Sequence, residues 1–130
     1  MVSTDQYIIR ELEEGIIENS ILDKTIVDTD LAHELKRINM SIAQGKKYGI
    51  VVTADPYTSI TSEARQLISS PEYKKDTLAK AIIVQSLPQR IVSNFYLRFN
   101  KPAIPTRLFN DKESAMQWLR KHSQTRKLAS

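Results

Sequence analysis

The sequence predicts an α/β fold: a mixed sheet of about five strands with helices packed on it, in the order ββαβαβαβα. Three observations predict it. Residues 48–52 and 79–84 are near-continuous apolar runs of strand length, the pattern of strands covered on both faces. Each run is followed by a helix-start signal, which implies parallel strands joined by crossover helices. Ahead of them, two shorter apolar stretches flank a glycine turn and read as a hairpin.

The hairpin comes first along the chain. Tyr7 to Leu12 is the first strand, Glu13-Glu14-Gly15 the turn, and residues 15–22 the second strand. Glycine suits that turn because it adopts positive φ without a steric penalty. Asp28-Thr29-Asp30 supplies N-cap oxygens. Leu31, Leu35, Ile38 and Ile42 then recur on one helical face, and Gly45 suits the position just past the helix end.

After the strand at 48–52, Asp55-Pro56 opens a loop, and a second helix starts near Thr61 with Ala64, Leu67 and Ile68 inward. Ser69-Ser70-Pro71 is expected to stop it. Beyond the strand at 79–84, Ser86-Leu87-Pro88-Gln89 has the form of a capping box. The helix it predicts carries Ile91, Val92, Phe95, Tyr96 and Phe99 on one broad apolar face. Residues 104–109 form a last strand, which Pro105 confines to an edge or to its start. Asn110-Asp111-Lys112-Glu113 caps a final helix with Met116 and Leu119 inward and Trp118 partly so. One domain over 1–123 and a frayed basic tail over 124–130 are expected.

Composition narrows the function classes. At 130 residues, 41% hydrophobic and 26% charged, the chain can bury one core without covalent staples. It has no cysteine, so disulfides and thiolate chemistry are excluded. The start has no basic and apolar leader, and no apolar run approaches the roughly 20 residues that span a bilayer, so the cytoplasm is the expected compartment. The net charge of +4 divides unevenly. Residues 1–65 hold 11 Asp/Glu against 7 Lys/Arg, and residues 66–130 hold 4 against 12. A basic half of this kind suits phosphates or an acidic partner. Its charges are spread out and match no nucleic-acid-binding motif, so a nucleic acid is disfavoured as the partner.

Catalytic signals are weak. His33 and His122 lie in different helices, and neither has a histidine or acidic partner at i+3 or i+4, so both are expected to be solvated. With three glycines in all, a glycine-rich phosphate loop is excluded, and no nucleophile elbow is present. Glu11, Glu13, Glu14 and Glu18 cluster around the hairpin turn and are expected to be solvated rather than an acid/base pair. No catalytic residue, metal or cofactor is expected.

Binding is better supported. Residues 52–63 link an interior strand to a helix, where α/β folds place ligands and where helix N–H groups are free to receive an anion. Tyr57, Thr58, Ser59 and Thr61 are therefore the candidate partner-binding or phosphoacceptor residues. Helix capping alone explains two of the hydroxyls in this stretch. Phe95, Tyr96 and Phe99 form the alternative interface, in competition with a plain core role.

Four stretches, 47–54, 60–65, 81–102 and 108–119, resemble the STAS (anti-sigma-factor-antagonist-like) superfamily, which borders on the CRAL-TRIO lipid-transfer domains, and more closely an uncharacterised bacterial group. The resemblance implies a non-catalytic regulatory domain of bacterial signalling type that acts through protein contacts, with a homodimer as one form of partner. In such domains a Ser or Thr at the start of the helix after the interior strand is phosphorylated to switch partner binding. The usual surroundings are Asp-Ser followed by Ser or Thr and Gly; here Asp55-Pro56-Tyr57 stands instead. The alternatives are a small-ligand or lipid-binding domain and an enzyme of unrecognised type.

Overall fold

An N-terminal hairpin starts the sheet. Strands β2 (Tyr7–Glu13) and β3 (Ile16–Ile21) pair antiparallel, and Gly15 sits in the turn between them at φ +85. The register slips between Glu11 and Glu13, a bulge beside the turn. A two-residue strand, β1 (Val2–Ser3), adds to the outer side of β2. The computed structural model describes residues 1–84, 86 and 104–129, with side chains described through residue 122.

From β3 onward the sheet is parallel. β5 (Tyr48–Ala54) pairs with β3, β7 (Thr77–Ile83) with β5, and β8 (Thr106–Phe109) with β7. The order is β1-β2-β3-β5-β7-β8, six strands where the sequence suggests about five. The two apolar runs are adjacent parallel strands, as expected. A separate ribbon pairs β4 (Ile26–Val27) with β6 (Ser59–Ile60). Two-residue strands carry no alternation, so β1, β4 and β6 leave no readable pattern.

Helix α1 (Thr29–Ala43) is capped by the Asp28 carboxylate, which accepts from Leu31 N–H at 2.8 Å. It ends with Gln44 at φ 53, so Gln44 takes the first left-handed position and Gly45 the second. Helix α2 (Ser62–Ser69) is capped by Thr61. Pro71 does not lead into a loop: it opens a further turn, α3 (Pro71–Lys74), capped by Ser70. Proline fits there because a first helical position has no N–H partner to lose. Helix α4 (Lys112–Ala129) starts at Asp111, whose carboxylate accepts from Ser114 N–H at 2.8 Å. The helix expected after Ser86, with Phe95, Tyr96 and Phe99, falls outside the described residues.

Strand alternation builds a core on each face. Tyr7, Ile9, Ile17, Ile21 and Tyr48 meet Leu31, Ala32 and Leu35 of α1 and Ala64 of α2. On the other face Ile16, Val51, Ala79, Ala81 and Ile83 meet Ala115, Met116 and Leu119 of α4. Gly49 lets α4 approach closely: a Cβ there would lie 3.3 Å from a Leu119 methyl.

Ions finish the α4 face. Glu18, 4% exposed, accepts from Arg10 at 2.9 Å and Lys112 at 2.6 Å. Burial would raise its carboxyl; those two cations outweigh burial and hold it below the usual range. Arg120 grips Glu13 through Nε and Nη2 at 2.7–3.1 Å. Glu18 is thus buried and paired, contrary to the solvated hairpin the sequence suggests.

Candidate functional site

Strand β7 alternates strictly. Ala79, Ala81 and Ile83 point to α4, which sends Lys80 and Ile82 to the α1–α2 side, where both line a cavity of about 340 Å³. Its apolar wall comes from Ile50, Val52 and Ala54 of β5, Ile21, Val27, Leu35, Ile60 and Ile68, with Ile104 beside β8. That volume falls in the range of small-molecule sites.

The polar lining is uneven. Lys36 of α1, Arg65 of α2, Lys74 of α3 and Lys80 of β7 are its cations, and no Asp or Glu is among the described lining residues. Lys74 is only 5% exposed. Burial lowers the pKa of Lys36 and of Lys74. Lys80 falls to about 8, chiefly through burial and then through the charge of Lys74. Lys36 is held differently. Its amine donates to the Tyr48 hydroxyl at 3.3 Å and lies 5.4 Å from the ring centroids of both Tyr48 and Tyr73. The charge of Asp76 opposes its loss of the proton. Burial raises the Tyr48 phenol to about 12 and the Tyr73 phenol further, so both stay neutral donors and acceptors.

Asn19 and Asn39 also line the cavity, and each amide donates to the other's oxygen, at 2.8 and 2.9 Å. They satisfy one another and fix the wall between β3 and α1.

Lys36, Lys74 and Tyr73 gather near Tyr48 and Thr77, the first residues of β5 and β7. The apolar wall runs from there along β5 to Ala54, Thr58 and Ile60 at the carboxyl ends of the strands. The sequence points only to that second end; the cationic end is not legible in it, because a lysine in sequence reads as solvent-facing. The available signal was parity: Lys80 shares a strand face with Leu78 and Ile82.

The loop residues divide by surroundings. Tyr57 is 76% exposed. The Thr58 hydroxyl donates to Asp55 O at 2.9 Å, and Thr58 reaches the cavity. Ser59 is exposed, with its N–H bonded to Thr25 O. The Thr61 hydroxyl is occupied as the cap of α2, accepting from Ala64 N–H at 3.1 Å. Ile26, paired in register with Ser59, is 59% exposed beside them. Phe95, Tyr96 and Phe99 lie outside the described residues. His33 is exposed, whereas His122 lies edge-on to Trp118 at 4.5 Å. No group of three metal-ligating side chains and no helix long and apolar enough to cross a membrane occurs among the described residues.

Comparison with known proteins places the fold. The chain belongs to the family described as a domain of unknown function, DUF7793, whose model matches residues 10–123. Among solved structures it is similar to an uncharacterised DUF3478-family protein with a SpoIIAA-like fold from Shewanella loihica PV-4. The two share 15% identity over 92% of this chain and 98% of the other, with a TM-score of 0.62. The STAS-like architecture is therefore shown. No curated protein matches.

Proposed function

We propose that this member of the DUF7793 family is a non-catalytic binding domain that takes a small amphipathic anion into its cavity and presents the result on the loop at 57–61. One observation carries the reading: three lysines, Lys36, Lys74 and Lys80, and a long apolar wall line one cavity, and no Asp or Glu is among its described lining residues. Buried charge is costly unless paired, and a bound anion supplies the missing partner. A ligand headgroup sits among Lys36, Lys74 and Tyr73, and its tail lies along Ile50, Val52 and Ile82.

Regulation follows from where that wall ends. Thr58 and Ile60 line the cavity while Tyr57 and Ser59 between and beside them face solvent. A tail that packs against Ile60 orders the same short segment whose outer side meets a protein partner, whether another protein or a second copy of the chain. With Thr58 and Thr61 both engaged, Ser59 and Tyr57 are the accessible phosphoacceptor candidates. A phosphate there adds about −1.5 to −2 charges beside the start of α2. A soluble cytoplasmic setting suits such a sensor.

Calorimetric titration with straight-chain carboxylates tests the proposal. Affinity should rise about fourfold per added methylene, from about 0.8 kcal/mol each, until the cavity is full. Hydrogen exchange over residues 57–61 should slow on saturation. Equal binding of the matching neutral alcohols, or no dependence on chain length, would refute the anion reading. Unchanged exchange at 57–61 would refute the coupling.

A further inference from the structure

Among the cavity amines, Lys80 and Lys36 have different surroundings. Burial lowers the pKa of Lys36, but two aromatic rings, a phenol oxygen and the charge of Asp76 stand near its amine. Lys80 stands on an interior strand and lines the cavity together with Lys74, with its backbone fixed by β5 in register with Ile50 and by β8 in register with Thr106. The charged and titratable groups lining the cavity with it are Lys36, Arg65, Lys74, Tyr48 and Tyr73, none of them acidic. Residues 85–105 of the sequence also carry no Asp or Glu.

We propose that Lys80 is a covalent capture site, whose ε-amine condenses with the carbonyl group of an anionic aldehyde or ketone drawn in by Lys36 and Lys74. The inference rests on the anion-binding reading and adds a chemical class to it. An amine desolvated in an apolar site beside a second cation is the arrangement that makes lysine nucleophilic near neutral pH. At a value of about 8, Lys80 holds a substantial neutral fraction where an ordinary lysine, near 10.5, holds almost none.

The chemistry is self-contained. The neutral amine adds to the carbonyl carbon and gives a carbinolamine. That adduct loses the carbonyl oxygen as water, together with the two hydrogens of the amine, and a C=N bond remains. No oxidant or reductant is needed, and water reverses the step. Once formed, the imine nitrogen takes a proton readily only if the anion stays near Lys74 to offset it. The carboxylate of the ligand is therefore part of the capture device as well as of the recognition.

Azelaic semialdehyde, an alkyl carboxylate ending in an aldehyde, is the probe, with cyanoborohydride to trap the imine and peptide mass spectrometry to locate it. Nonanoate, which has no aldehyde or ketone group, is titrated in parallel. The expected result is one trapped adduct, on Lys80, blocked by excess nonanoate. Its rate should climb about tenfold per pH unit and level off above about 8. Lys80→Arg, which has no nucleophilic amine, should lose the adduct. Adducts spread over exposed lysines such as Lys46, Lys47 and Lys75, or a rate that keeps climbing towards 10.5, would overturn the proposal. If nonanoate binds and Lys80 stays unmodified, covalent capture alone fails; if nonanoate does not bind, the cavity reading fails with it. The mapping and the pH profile use the unaltered chain, so they hold even if the variant folds poorly.

Discussion

The two faces of the sheet solve the problem of charge in opposite ways. On the α4 face every described buried charge has a partner: Glu18 is gripped by Arg10 and Lys112, and the hydrophobic layer closes on Gly49 through Leu119. On the α1–α2 face, Lys74 and Lys80 are withdrawn from water beside a cavity with no described carboxylate. A fold stabilises a buried charge by pairing it, so a face where pairing is left open carries a cost that a ligand can relieve. Both faces carry an apolar core, and they differ in how their buried charges are held.

The strongest test of that division is Leu119→Ala. Leu119 is 1% exposed, and its loss should cost about 3 kcal/mol in denaturant unfolding, as for other buried leucines. Carboxylate affinity per folded molecule should not move. A large affinity change would merge the two faces into one cooperative unit.

Glu18→Ala should cost about 2 kcal/mol, the worth of charge-assisted hydrogen bonds to a buried carboxylate. Its folded pKa is depressed, so its contribution is present above the unfolded value and is lost as pH falls through the folded one. The variant should therefore lose part of the acid limb of the stability profile. An unchanged acid limb would mean that Glu18 is not the group that sets it.

The cavity face should shape the alkaline limb. Between about 8 and 10.5, folded Lys80 has released its proton while unfolded Lys80 retains it, so raising the pH stabilises the fold. Above 10.0 the sign reverses: Tyr48, raised to about 12, keeps its proton in the folded chain while the unfolded phenol ionises. The melting temperature should rise from pH 8 towards 10 and fall beyond it. A flat profile over that window would place Lys80 in ordinary solvent.

The smallest expected effect has the most informative sign. Lys74→Met removes a charge with no described partner and should stabilise the protein, by about 0.5–1 kcal/mol, while it weakens carboxylate binding. Removing a cation from the other face, Lys112→Met, should destabilise it. If both variants shift stability in the same direction, the contrast between the faces is wrong.

The same contrast explains what the sequence revealed. The strands at 48–52 and 79–84, the caps at Asp28, Thr61 and Asp111, and the inward Met116 and Leu119 were readable because each depends on neighbours a few residues away. The fate of Glu18 was not, because its partner Lys112 comes from the last helix. The uneven charge of the two halves has the same explanation: part of the basic excess meets the acidic hairpin within the chain, at Glu13–Arg120 and Glu18–Lys112. The cavity combines residues of five strands and three helices, and no local pattern reports that. Asn39 on the apolar face of α1, between Leu35 and Ile42, is a local hint, like the parity of Lys80, that polar groups meet inside.

The sheet also restricts how another chain can approach. Its outermost strands are β1, two residues long, and β8, four residues long and preceded by Pro105. An extended peptide laid along β1 or β8 finds only a short ladder, and the longer stretch of border that β1 leaves uncovered, on β2 from Arg10 to Glu13, carries three charged residues of the kind that discourage edge-to-edge stacking.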